Sequence, residues 1–206
     1  MKTLAVISQK GGAGKTTLAL HLAVAWSLAG RNIAVLDLDP QASAVKWFHR
    51  RTAELPVVLP SPASLLDHEM KRIGQMGGEL LVLDTAPRLD SAALKAAKVS
   101  DLVVVPCRPA ILDLEAVATT LELVRTTGKP VIAVLNSTDV RGAEADEAAA
   151  AVEALGVAVC PARLARRVVF ARSLVTGLAA QETEPEGKAA RELEQVHNFI
   201  CEQMND

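Results

Sequence analysis

Short apolar runs alternate with longer stretches of helical period along the whole chain. Six runs read as strands: TLAVIS at 3–8, NIAVLDL at 32–38, ELLVLDT at 79–85, DLVVVP at 101–106, PVIAVLN at 130–136 and VAVC at 157–160. Between them the apolar spacing is helical near 15–29, 42–51, 62–75, 89–98, 111–127 and 143–155, and a last helix is expected over 185–203. The strand runs are continuous in Val, Ile and Leu, which marks strands buried on both faces. The alternation predicts an α/β fold: a mostly parallel twisted sheet of about seven strands flanked by helices on both faces.

Open parallel sheets bind ligands beyond the carboxyl ends of their strands, and the polar clusters fall there. QKGGAGKTT (9–17) follows the first strand and opens a helix. Asp37-Leu38-Asp39-Pro40-Gln41 ends the second strand, Asp84-Thr85-Ala86-Pro87 the ELLVLDT strand, and Asn136 the PVIAVLN strand. The loop departs from the Gly-x4-Gly-Lys-Ser/Thr pattern, because Gln9 stands where the first glycine belongs and Lys10 adds a cation. Gly11, Gly12, Ala13 and Gly14 form a backbone whose N–H groups can turn toward a phosphate at the helix N-terminus. Lys15 would reach the β- and γ-phosphates, Thr16 would ligate Mg²⁺, and Thr17 would bond an α-phosphate oxygen.

Asp84, after four apolar residues, is expected to anchor Mg²⁺ through water; taken alone it would read as a helix cap. Asp39 is expected to orient or deprotonate the attacking water, and Asp37 to support the metal or Thr16. Both aspartates have an alternative reading as turn caps.

Composition narrows the picture. Half of the 206 residues are hydrophobic, aromatics are 2% and Tyr is absent, so the core must be aliphatic. No Pro/Gly/Ser-rich linker divides the chain, and 1–206 reads as a single domain. The net charge of −2 gives no global attraction to nucleic acid or anionic lipid, so any such binding needs a local patch. Cys107, Cys160 and Cys201 lack any CxxC spacing and read as small buried hydrophobes. The first apolar run begins too close to Met1 for a signal peptide, and no apolar stretch approaches a membrane span; a cytoplasmic location is expected.

KGGAGKTT, DLDPQ and LLVLDTAP, in this order and spacing, resemble the deviant Walker A ATPases of the ParA/MinD superfamily, and specifically the small ParA-type partition ATPases. SAVKWF after DPQ and the arginine-rich RLARRVVFARSLVTG extend the likeness over nearly the whole chain. The resemblance implies hydrolysis of ATP to ADP and phosphate with weak basal activity, Mg²⁺ as cofactor, and a homodimer formed with ATP. It implies that Lys10 reaches across that dimer to the partner's phosphates, much as an arginine finger does. It also implies that Asn136 contacts adenine and that the 106–110 loop borders the nucleotide or dimer face.

Arg163, Arg166, Arg167 and Arg172 put four positive charges within ten residues. If the stretch is helical, the first three share one face and could bind DNA backbones without reading sequence, unless they simply form a solvated face. The main expectation is therefore a plasmid or chromosome partition ATPase, nucleoid-associated when ATP-bound and stimulated by a centromere-binding adaptor protein. An alternative keeps the switch but positions a protein cargo, a chemoreceptor cluster or microcompartment. A metallochaperone or synthetase on the same fold would need a cysteine pair or a substrate pocket that the sequence does not display. No N-terminal helix-turn-helix domain and no membrane anchor are expected.

Overall fold

The continuous apolar runs become strands whose side chains alternate between two covered faces. In the computed structural model, which describes residues 1–205, these strands are β1 (Lys2–Val6), β2 (Ile33–Asp37), β3 (Val57–Pro60), β4 (Leu80–Asp84), β5 (Leu102–Cys107), β6 (Val131–Thr138), β7 (Ala158–Val159) and β8 (Leu164–Ala165). The helices are α1 (Lys15–Leu28), α2 (Ser43–Phe48), α3 (Leu66–Gln75), α4 (Ser91–Val99), α5 (Ile111–Arg125), α6 (Glu144–Ala154), α7 (Val168–Val175), α8 (Ala180–Thr183) and α9 (Lys188–Met204). The sheet runs β3-β2-β4-β1-β5-β6-β7, every described pairing parallel, and β8 joins the far end of β6 past an irregularity between Asn136 and Thr138.

Leu4 and Val6 of β1 join one apolar layer with α1, α2, α7 and α9, whereas Ala5 and the following Ile7 join the other with α3, α4, α5 and α6. Burying each Val, Leu or Ile side chain of these layers stabilises the fold by roughly 1.5–3 kcal/mol. With so few aromatics the layers close on small aliphatic groups, and Trp26 and Trp47 are the bulky exceptions, both buried. Trp47 donates its indole N–H to the Leu178 carbonyl at 3.0 Å, so it packs inside and is not a partner anchor.

Two expectations change. The 57–60 and 164–165 segments are additional strands, and the arginine-rich stretch is not one helix. Arg163 precedes β8, Arg166 follows it, Arg167 stands at the N-cap of α7 and only Arg172 lies within that helix. Pairing of Leu164 and Ala165 with β6 pulls the first arginines into extended backbone and removes their shared helical face. Among the described residues no helix is long and apolar enough to cross a membrane.

Candidate phosphate-binding site

β1 sits at the centre of the sheet, between β4 and β5, so the loop leaving it meets the carboxyl ends of both neighbours. Parallel register puts Asp84 level with Val6, and Asp37 level with Asp84. The three acidic and glycine-rich clusters are thereby brought to one place. The loop turns into α1 through Gly14, whose φ of 95° is left-handed and leaves the helix start with no side-chain cap. A Cβ at Gly14 would overlap the Asn136 amide, so glycine is needed there for space as well as conformation. The uncapped N–H groups of α1 are those that an anion can take.

Lys15 is 7% exposed and its Nζ donates to the Lys10 carbonyl at 3.2 Å. Burial lowers its pKa, against which the Asp84 and Asp39 carboxylates act. Asp84 is fully buried, and neither carboxylate oxygen has a hydrogen-bond partner of normal geometry. Burial pushes it up to about 7; the Thr16 hydroxyl is the main counterweight, Lys15 assists, and the charges of Asp37 and Asp39 push further up. An orphaned buried carboxylate beside a P-loop threonine and lysine fits a hydrated Mg²⁺, which keeps waters and shares phosphate oxygens. Among the described residues no group of three or more His, Cys, Asp or Glu is arranged to hold a metal ion.

The other aspartates differ. Asp37 is buried and committed to the backbone: Oδ2 accepts from Ala44 N at 2.9 Å and Val45 N at 3.2 Å, Oδ1 from Asp39 N at 3.1 Å. It caps α2 and sets the turn carrying Asp39. Burial raises its pKa while those three amides hold it down. Asp39 is half-buried, with Oδ1 accepting from Gln41 N at 2.9 Å.

Asn136 Nδ2 donates to the Ala13 carbonyl at 2.8 Å and Oδ1 accepts from Ser137 N at 2.8 Å. It braces the loop, and one of its two amide hydrogens remains for a base. A cavity of about 170 Å³ opens nearby, lined by Arg108, Ala110, Ser137, Asp139 and Arg166 among others. Gln9, which breaks the motif, is exposed, and its N–H donates to Thr120 Oγ1 at 3.3 Å, tying the loop to α5. Sequence reasoning missed Thr120, since nothing local links it to a residue 111 positions away. Lys10, Thr16 and Thr17 are each half-buried.

The arginines separate into two kinds. Arg163 pairs with Asp146, and Arg167 with Glu192, its Nε lying 3.0 Å from Oε2. Arg166 and Arg172 are exposed. Cys107 and Cys160 are buried as expected, with burial raising their thiols to about 12 and about 11, while Cys201 is half-buried.

The profile of the CobQ/CobB/MinD/ParA nucleotide binding domain matches residues 4–179. The chain is 34% identical over 208 residues to the maintenance of carboxysome distribution protein A of Gloeobacter kilaueensis, covering 99% of this chain and 94% of that protein. It is 30% identical over 167 residues to the chromosome-partitioning ATPase Soj of Thermus thermophilus, covering 66% of this chain and 67% of Soj. Its fold matches that of the Cyanothece McdA ATP complex with a TM-score of 0.82, at 15% identity, covering 100% of this chain and 96% of that one. The chain belongs to the CobQ/CobB/MinD/ParA nucleotide-binding domain family and has the fold of a ParA/MinD-type P-loop ATPase.

Proposed function

We propose that this chain is an Mg·ATP-driven switch that positions a large protein assembly of the microcompartment class. The nucleotide part rests on Asp84: a buried, unpartnered carboxylate beside Lys15 and Thr16 has a use only when a cation and its ligand arrive. Gly11, Gly12, Ala13, Gly14 and the N–H groups through Thr17 would cradle the phosphates, with Lys15 on the outer ones. Mg²⁺ would be held by Thr16 and, through water, by Asp84, and would neutralise the charge on the phosphate oxygens. Asp39, one oxygen of which is tied to the turn, would orient a water, and Asp37 fixes that turn. The second Asn136 amide hydrogen serves adenine. Lys10 acts across an ATP-bound homodimer on the partner's phosphates.

The cargo assignment is carried by one observation: the carboxysome distribution protein aligns over 99% of this chain, whereas the Soj alignment covers 66%. That favours cargo positioning over plasmid or chromosome partition by a centromere adaptor. Track binding to DNA through Arg166 and Arg172 belongs to the same reading, since the ATP-bound state needs a scaffold over which to distribute cargo. The test is imaging of fluorescent assemblies in the source cell carrying either the wild-type chain or Lys10→Ala. Even spacing with the wild type and clumping with the variant is expected. Unchanged spacing together with loss of a resident plasmid would return the chain to partition.

A further inference from the structure

Arg108 stands just after β5, the strand beside β1, and so at the same sheet edge as the phosphate loop. Its guanidinium Nη2 lies 3.5 Å from the Gly11 carbonyl and 2.8 Å from where a Cβ on Gly12 would stand. The absence of a side chain at Gly12 is what lets the cation rest against the loop. Behind it, Arg108 Nε is 3.7 Å from Asp113 Oδ1, beyond hydrogen-bond reach, and both atoms are buried without a partner. The Asp113 side chain is only 9% exposed, so its charge requires a cation close by, and Arg108 supplies it. The pair is slack, however. A guanidinium carries five N–H donors, and among the described residues this one makes, besides the slack pair with Asp113, one hydrogen bond at the limit of distance, to a neutral carbonyl.

Those unspent donors point at a specific part of the ligand. Lys15, which serves the outer phosphates in such a loop, has its Nζ 3.2 Å from the Lys10 carbonyl. The loop entry, Lys10 to Gly12, therefore flanks the place of the terminal phosphate, and Arg108 flanks the loop entry. A planar guanidinium matches two phosphate oxygens, and exchanging a long contact to a carbonyl for charge-assisted bonds is favourable. We propose that Arg108, held by Asp113, contacts the terminal phosphate of ATP and is the residue by which this chain tells ATP from ADP. The inference rests on the nucleotide reading of the site.

The test is calorimetric titration of the wild type, Arg108→Gln and Arg108→Lys with Mg·ADP and with a non-hydrolysable Mg·ATP analogue. Protein concentrations are kept where light scattering shows monomer. Arg108→Gln is expected to lose about tenfold or more in affinity for the analogue while its ADP affinity stays within about twofold, and Arg108→Lys to recover part of the loss. Asp113→Asn should weaken the analogue alone, and by less. Equal losses for both nucleotides would make Arg108 a loop strut and overturn the proposal, as would no change for either. A wild type that binds neither nucleotide would sink the nucleotide site and this inference together; intact wild-type binding with an unchanged ratio would sink the inference alone.

Discussion

At Asp84 the chain carries a cost of burial that Thr16 and Lys15 offset only in part. Its carboxyl is raised from 3.8 to about 7 by burial. Between those values the folded chain binds more protons than the unfolded one, so this residue makes stability fall as pH rises from about 4 to 7. His21 acts in the opposite sense: burial lowers it to about 4, the folded chain keeps it neutral, and stability is lost as pH falls below 6.5. Asp84→Asn separates the two. Its melting temperature should be near the wild-type value at about pH 4 and exceed it increasingly toward about pH 8, where the gain is on the order of 4 kcal/mol. Adding Mg·ADP should then stabilise the wild type far more than the variant. A melting difference that stays flat between the two pH values would show that the Asp84 carboxylate is not strained by its burial.

Among the elements, the seam between α8 and the segment that follows α2 concentrates polar contacts away from the phosphate loop. Arg51, with 2% of its side chain exposed, bonds Glu182 through two nitrogens at 2.7 and 2.9 Å, the Leu55 and Gly177 carbonyls at 2.8 and 3.0 Å, and lies 5.0 Å over the Trp47 ring. Glu182 Oε2 also accepts from Ala179 N at 2.8 Å at the start of α8. Arg51→Met leaves that half-buried carboxylate without its cation, for which a loss of about 3 kcal/mol is expected in urea unfolding. Arg51→Met with Glu182→Gln should recover much of it, and a single-variant loss under about 1 kcal/mol would demote the seam to a surface pair. This seam was invisible in the sequence because its partners are 131 residues apart. The central strands were legible, since LLVLD, LVVVP and VIAVLN are apolar without interruption; β3 was not, being four residues long at the sheet edge and ended by Pro60. The position of the GKTT loop between β1 and α1 was legible because a glycine cluster between an apolar run and a helical period has few other places to go. The Asp37 contacts to α2 were not, because a capping carboxylate and a metal-supporting one look alike until their donors are seen.

Over the whole molecule, charge separates structural arginines from available ones. With a net charge of −2 the protein has no general attraction to polyanions. Arg163 and Arg167 are neutralised by Asp146 and Glu192, and the Glu192 carboxylate also receives Ala165 N at 3.1 Å, so this pair ties α9 to β8 and the α7 start. Arg167 is held firmly charged by Glu192. Only Arg166 and Arg172 of the four sequence candidates remain exposed. A track-binding surface in an ATP-bound dimer must then rest on these two from each protomer, with whatever neighbours join them. Binding of the Mg·ATP-loaded protein to random-sequence DNA should weaken steeply with salt, and Arg166→Ala with Arg172→Ala should reduce the log–log slope by about 3 to 4, because each lost phosphate contact contributes about 0.9. Arg163→Ala should leave the slope unchanged. The reverse pattern, a slope that depends on Arg163 and is indifferent to Arg166 and Arg172, would mean that the Asp146 pair opens on DNA and that charge availability in the nucleotide-free chain does not mark the surface.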